Sequence, residues 1–335
     1  MLAIFAVNVE SSCDVSSTKM DIRTQRIYER SHERGRGRNM VKKGYAAASG
    51  LIAVVVLILG CATAASPQTP AVQSGYAPVN GLKMYYEIHG SVNGNTPPLV
   101  LLHGGGSTIE TSFGKVLPAL AKTRQVIAFE QQGHGHTADI VDRPFTFEQS
   151  ADDTAALLRH LKIGKADFFG YSNGGHIVIQ LAVRHPDLVR KLVIESAMFQ
   201  RDGSDPGFWK SFEHAKLNDM PPELQKAFLG AAPHPEDLPT FFAKSVQRML
   251  NFKGWTPADI QSINAPTLVM VGDHDIVRPE HAVLMFRLFP NAQLAVLPGT
   301  DHMTIVNRSD WLVPMVETFL DSPMPPIRPN GKEKR

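Results

Sequence analysis

Cysteine is nearly absent from this chain. Its 335 residues include two, Cys13 and Cys61, and both precede the stretch that reads as a folded domain. No disulfide framework and no cysteine-rich metal site can be built there, so the fold must stand on its apolar core. An excess of charge of one sign is lacking too. Lys and Arg number 34 against 32 Asp and Glu, for a formal net charge of +2. Outside one N-terminal run this leaves no basic face of the kind nucleic-acid binding requires, and nucleic acid is set aside as a partner. Long apolar runs are scarce, with a single one ending at Leu59, yet the hydrophobic content of 43% is ample for a sizeable core.

The first 39 residues are polar and then arginine-rich, with Arg34, Arg36 and Arg38 alternating with other residues. They read as a disordered extension, or as sequence ahead of a true start at Met40. From Met40 two lysines, an apolar run and small residues follow, which is the layout of a bacterial export signal over residues 40–65. Three readings of it are open. Ile58-Leu59-Gly60-Cys61 resembles a lipoprotein signal with Cys61 as the lipid-bearing residue, Ala62-Thr63-Ala64 offers an ordinary cleavage site, and residues 51–60 offer a membrane anchor. In each the body of the protein is expected outside the cytoplasm: periplasmic, membrane-attached or secreted.

Residues 66–74 read as a proline-containing linker, with the domain starting near Gly75 and a polar tail over 323–335. Between them short apolar runs alternate with helical spacing. Strands are expected at Lys83–His89, Leu99–His103, Gln125–Phe129, Ala166–Tyr171, Lys191–Ile194, Thr267–Val271 and Gln293–Leu297. Helices are expected at Phe147–Leu161, from His176 to Pro186, at His281–Phe289 and at Trp311–Leu320. This alternation implies an α/β fold, a mostly parallel sheet with helices on both faces. Residues 199–263 break it. They show no convincing strand, five prolines (Pro221, Pro222, Pro233, Pro235, Pro239) and a concentration of Phe and Trp, and read as an inserted helical cap. The core is then 75–198 plus 264–322.

The stretch Ala166–Gly175, ADFFGYSNGG, places one serine between a buried strand and a helix. Gly170, Ser172 and Gly174 form G-x-S-x-G, whose glycines leave room for a tight turn that lifts the serine hydroxyl above the sheet edge. Ser172 is the candidate nucleophile. The N–H of Asn173 opens the helix and is placed to donate to an oxygen that becomes negative during acyl transfer. A serine hydroxyl needs a histidine to take its proton and an acid to hold that histidine. Beyond the strand 267–271 comes GDHD, and beyond 293–297 comes PGTDHM, placing Asp273 or Asp275, and His302, on loops at the same sheet edge as the elbow.

Three other histidines, an aspartate and a metal pattern compete for attention. His274 and His176 read as surface or supporting groups, His103 as a structural residue, and Asp301 as a loop-solvating one. His134, His136 and Asp139 in GHGHTAD approach a metallohydrolase pattern, but Ala138 stands where its aspartate belongs, so no metal and no cofactor is expected.

With these motifs the chain resembles the α/β-hydrolase superfamily over Gly81 to Leu320. The resemblance rests on His103-Gly104-Gly105-Gly106, Gly133-His134-Gly135, the elbow, Gly272 with Asp275, and His302. It is nearest to the capped esterases and carbon–carbon bond hydrolases. Glu130, Gln131 and Gln132 depart from the aspartate-then-arginine that the family usually carries. The resemblance implies Ser172, His302 and Asp275 as a triad, Asp275 being preferred to Asp273 by its spacing from Gly272. It implies an oxyanion hole from the N–H groups of Asn173 and Gly105. The expected activity is hydrolysis of a small or medium carboxylic ester. The alternatives are a carbon–carbon bond hydrolase or cofactor-free peroxidase on the same residues, and a non-catalytic ligand-binding protein of the same fold.

Overall fold

The computed structural model describes residues 72–323. The readings made on residues 1–71 and on most of the C-terminal tail, including the export signal and the Cys61 attachment, lie outside them. Among the described residues no helix is long and apolar enough to cross a membrane.

Eight strands form one sheet: β1 (Gln73–Val79), β2 (Leu82–His89), β3 (Leu99–Leu102), β4 (Val126–Phe129), β5 (Ala166–Tyr171), β6 (Val189–Glu195), β7 (Thr267–His274) and β8 (Ala292–Asp301), in the order β1-β2-β4-β3-β5-β6-β7-β8. The β1–β2 and β2–β4 pairings are antiparallel and every other is parallel. This is the α/β architecture expected from the alternation of apolar runs. Neighbouring residues on the central strands serve opposite cores: Val100, Leu102, Ile127, Phe129 and Phe168 on one face, Leu99, Leu101, Val126, Ala128 and Phe169 on the other. Burial on both faces is why these strands read as unbroken apolar runs.

The first face is covered by α3 (Phe147–His160), α4 (Asn173–Arg184) and α9 (Pro279–Leu288), the second by α1 (Ile109–Phe113), α2 (Leu117–Leu120) and α10 (Ser309–Asp321). The domain begins earlier than expected, because Gln73 and Ser74 of the presumed linker pair with Ile88 and Glu87 in β1. Pro78 disguised this strand. It is tolerated because β1 is the sheet's edge, where a missing N–H costs no ladder bond.

Between β6 and β7 lie α5 (Pro206–Glu213), α6 (Pro222–Ala231), α7 (Leu238–Asn251) and α8 (Pro257–Gln261), with no strand among them. The prolines do not break these helices. Pro206, Pro222, Pro239 and Pro257 sit in first turns, where an N–H would have no acceptor within the helix. Two basic residues one turn apart tie α7 to the sheet domain. Lys244 Nζ donates to Asp139 Oδ2 at 2.6 Å, and Arg248 donates to Gln131 Oε1 and Ser150 Oγ at 3.3 and 3.1 Å.

Candidate active site

Ser172 joins β5 to α4 with φ 53° and ψ −119°, a strained conformation for a side chain-bearing residue. Packing compels it. A Cβ on Gly170 would meet the Gly174 carbonyl oxygen at 2.2 Å, and one on Gly174 would meet the Leu102 carbonyl oxygen at 1.9 Å, so no larger residue fits around this turn. Ser172 N–H donates to the Glu195 carbonyl at 2.9 Å, tying the turn to the end of β6.

The structure brings Ser172, His302 and Asp275 together. Ser172 Oγ lies 3.0 Å from His302 Nε2, and His302 Nδ1 lies 2.7 Å from Asp275 Oδ1. Because the carboxylate only accepts, Nδ1 carries the hydrogen and Nε2 is left as the acceptor for the serine proton. Tyr171 holds the histidine loop by donating from its hydroxyl to the His302 carbonyl at 2.6 Å. Asp275 is buried, which works against its charge, but the His302 imidazole, the Ser196 hydroxyl and the Val277 N–H hold its carboxyl below the ordinary range. Asp273 turns elsewhere, accepting from Thr300 N–H at 3.2 Å. Asp301 accepts from Met303 and Thr304 N–H in its own loop, and His274 is exposed.

The Gly105 and Asn173 N–H groups are both available. Gly104 N–H donates to Ser112 Oγ and Gly106 N–H to His134 Nε2, while Gly105 N–H has no acceptor among the described residues. As the first residue of α4, Asn173 has no acceptor within the helix. The two residues touch: a Cβ on Gly105 would lie 2.3 Å from Asn173 Nδ2.

Glu130, Gln131 and Gln132 have structural work that the family pattern did not foretell. Gln131 N–H donates to His103 Nε2 at 3.0 Å and Gln131 Nε2 donates to the His103 carbonyl at 2.9 Å, so it braces the strand end that leads into Gly104 and Gly105. Its remaining oxygen receives Arg248 from the cap. Glu130 takes the His136 ring and backbone N–H, and Gln132 Nε2 donates to Asp139 at 2.6 Å. The three members of the metal pattern therefore have separate occupations: His134 on Gly106, His136 on Glu130, Asp139 on Lys244 and Gln132.

Three residues at the site escaped the sequence reading. Ser196, with φ 54°, donates to Asp275 Oδ2 at 2.5 Å, and nothing in its local sequence marks it. The Glu195 carboxyl is buried without a partner, and burial followed by the nearby Asp275 pushes it up to about 8. Arg248 was discoverable as a lone cation on the apolar face of an amphipathic helix. Of the two readings open for His176, surface or supporting group, the structure shows the second: it is buried, with Nδ1 3.0 Å from the Ser172 carbonyl oxygen.

His103, His134 and His176 are all buried, and burial drives His103 and His176 down to about 4 and His134 well below its ordinary value. Unfolded, each titrates near 6.5. Their folded values are depressed, so their contribution to stability is complete above pH 6.5 and is lost as pH falls toward 4, where the unfolded chain binds protons the folded one refuses. The loss is about 3 kcal/mol by pH 4 for each of His103 and His176, against a typical total of about 5–15 kcal/mol. Thermal melts should show stability declining from near pH 6.5 downward. A melting temperature constant from pH 7 to pH 4 would contradict neutral buried imidazoles.

Above Ser172 is a cavity between sheet edge and cap. Met198, Phe208, Phe212, Phe241, Phe242 and Met249 provide much of its wall, and among the described residues no Asp, Glu, Lys or Arg lines it. Comparison with known proteins agrees with this architecture. The model of the alpha/beta hydrolase fold family matches residues 97–245. The 2-hydroxymuconate semialdehyde hydrolase of Pseudomonas sp. (strain CF600) is 29% identical over 245 residues, covering 67% of this chain and 86% of the relative. A proline iminopeptidase of Lactobacillus helveticus (strain DPC 4571) is 26% identical over 292 residues, covering 74% and 97%. Among solved structures, the meta-cleavage product hydrolase CumD of Pseudomonas fluorescens IP01 superposes with a TM-score of 0.64 at 22% identity, over 74% of this chain and 97% of that one. With the parallel sheet, the serine turn and the loops that meet it, these likenesses make the chain a member of the α/β-hydrolase fold family.

Proposed function

We propose that the protein is a serine hydrolase that cleaves a neutral carboxylic ester with a substantial apolar portion. One observation carries this: the hydrogen-bonded chain Ser172–His302–Asp275 opens into an uncharged, largely apolar cavity. Ser172 Oγ attacks the carbonyl carbon while His302 Nε2 takes its proton. The oxyanion is held by Gly105 and Asn173 N–H. As the carbon–oxygen bond breaks, His302 returns the proton to the departing alcohol. Water, deprotonated by the same imidazole, then attacks the acyl-enzyme, releasing the acid and restoring Ser172.

Carbon–carbon bond hydrolysis is the second reading, motivated by the 2-hydroxymuconate semialdehyde hydrolase likeness. A muconate is a carboxylate, and the cavity offers it no cation; nor does it offer a carboxylate to an N-terminal ammonium of the kind a peptidase would hold. The full chain should therefore turn over p-nitrophenyl esters and form a covalent adduct at Ser172 with a fluorophosphonate. Preference for a dienoate diketone over every ester would reverse the assignment. Export, read from residues 40–65, remains part of the proposal and is tested by the cellular fraction in which the esterase activity is found.

Gly105→Ala probes the oxyanion role. The added methyl would press on Asn173 Nδ2, shift the loop and withdraw one donor, lowering kcat by about 100- to 1,000-fold. Retention of full kcat would remove Gly105 from the mechanism.

A further inference from the structure

Six polar side chains line the cavity: Ser172, Asn173, His176, Ser196, Ser245 and His302. Ser172 and His302 are accounted for by the reaction and Ser196 by Asp275, while the Asn173 amide packs against Gly105 and is not among the buried side-chain atoms without a partner. His176, one turn beyond the serine on α4, and Ser245, on cap helix α7, remain. Each has a buried polar atom without a protein partner, His176 Nε2 and Ser245 Oγ.

The chemistry of His176 is determined by its other nitrogen. Nδ1 lies 3.0 Å from the Ser172 backbone oxygen, which only accepts, so Nδ1 bears the hydrogen and Nε2 presents a bare lone pair. Burial keeps the ring neutral at working pH. The ring is also held in place, stacked on Phe147 at 4.7 Å between centroids and met edge-on by Phe252 at 5.2 Å. A buried polar atom with no partner costs about 1–3 kcal/mol, and two such atoms in the lining of one cavity are a standing cost that a ligand removes. The ligand group must be a donor for Nε2. It must also be neutral, because an anion would face the lone pair with no cation in the lining, and an ammonium would find no acid there. An alcohol hydroxyl meets both conditions, since it donates through its hydrogen and accepts from Ser245 through its oxygen.

We propose that the substrate is a hydroxylated neutral ester whose hydroxyl lodges between α4 and α7, donating to His176 Nε2 and pairing with Ser245 Oγ. The inference rests on the serine-hydrolase reading and adds the substrate class to it. Sites that reserve a polar group for a substrate hydroxyl reject the analogue lacking it more strongly than apolar pockets reject a missing methylene.

The test uses the full chain and matched esters in three forms, plain, hydroxylated and methoxylated, since a methyl ether fills the same space but cannot donate. Placing the substituent along the acyl chain of p-nitrophenyl hexanoate, and separately along the alcohol of hexyl hexanoate, covers both halves of the substrate. Wild-type kcat/KM should favour one hydroxyl position over both its plain and methoxy counterparts by about tenfold or more. In His176→Phe and in Ser245→Ala that ratio should fall toward one. Equal rates for hydroxyl, methoxy and plain forms at every position in the wild type would overturn the inference, whatever becomes of the variants. So would a hydroxyl preference that survives both substitutions. Fluorophosphonate labelling separates the two levels: Ser172 labelled with no hydroxyl preference removes only the substrate class, whereas an unlabelled Ser172 removes the serine-hydrolase reading and this inference with it.

Discussion

Ser172→Ala will lower kcat on p-nitrophenyl esters by about a million-fold, with His302→Ala close behind and the double variant no worse than either alone. The non-additivity follows from the geometry. His302 Nε2 lies 3.0 Å from Ser172 Oγ and has no other proton to take in the first step, so removing either atom removes the same event. KM should change little, because the cavity wall that holds the apolar part of the substrate is untouched. Fold is not at stake: the alanine methyl keeps the backbone bonds from Ser172 N–H to Glu195 and from His176 N–H to the Ser172 carbonyl. The variant should melt close to the wild-type temperature, because alanine keeps those bonds and adopts the same φ of 53° with the same Cβ. Ester turnover that survives Ser172→Ala at a tenth of the wild-type rate would refute the nucleophile assignment.

The second large effect separates the two aspartates of GDHD. Asp275→Asn should reduce kcat by about ten-thousand-fold, because an amide at this position can offer its NH₂ to His302 Nδ1 and so favour the tautomer whose Nε2 carries a hydrogen and cannot accept one from serine. Asp273→Asn should alter kcat less than threefold, since its carboxylate serves Thr300 N–H and not the imidazole. The pH profile adds an independent readout. Asp275 is held below the ordinary carboxylate range, so its charge is present throughout the working range and the wild-type rate should not fall with its titration above pH 4. Equal losses from the two substitutions would mean that the acid has been misassigned.

The cap enters the site by two routes. Its aromatic side chains wall the cavity, and Arg248 reaches through Gln131 to the His103 strand end from which Gly104 and Gly105 depart. Arg248 is buried with no carboxylate within ion-pair distance among the described residues, and burial lowers it to about 10. Phe145 and Phe147 lie 5.1 and 5.4 Å from its guanidinium carbon and supply part of the missing compensation. The seat of α7 and the placement of the glycine loop are thus mechanically joined.

The α/β architecture was legible in the sequence because its signals are local. A strand buried on both faces must be an unbroken apolar run, as Leu99–Leu102 is, and a serine turn this tight must be flanked by glycine, as Ser172 is. Parallel connectivity then places every strand's C-terminal loop at one edge, so the elbow, Asp275 and His302 were readable as neighbours from chain order alone. Less local features were hidden. Strand β1 looked like a linker because its stability comes from pairing with β2 at an edge that tolerates Pro78, not from its own composition. The support of Ser196 for Asp275 and the reach of Arg248 to Gln131 depend on side-chain directions across 79 and 117 residues of sequence separation. Local pattern records which face a residue turns to the core. Only the closed packing of cap on sheet decides which polar atoms find partners and which, like His176 Nε2 and Ser245 Oγ, are left for a ligand.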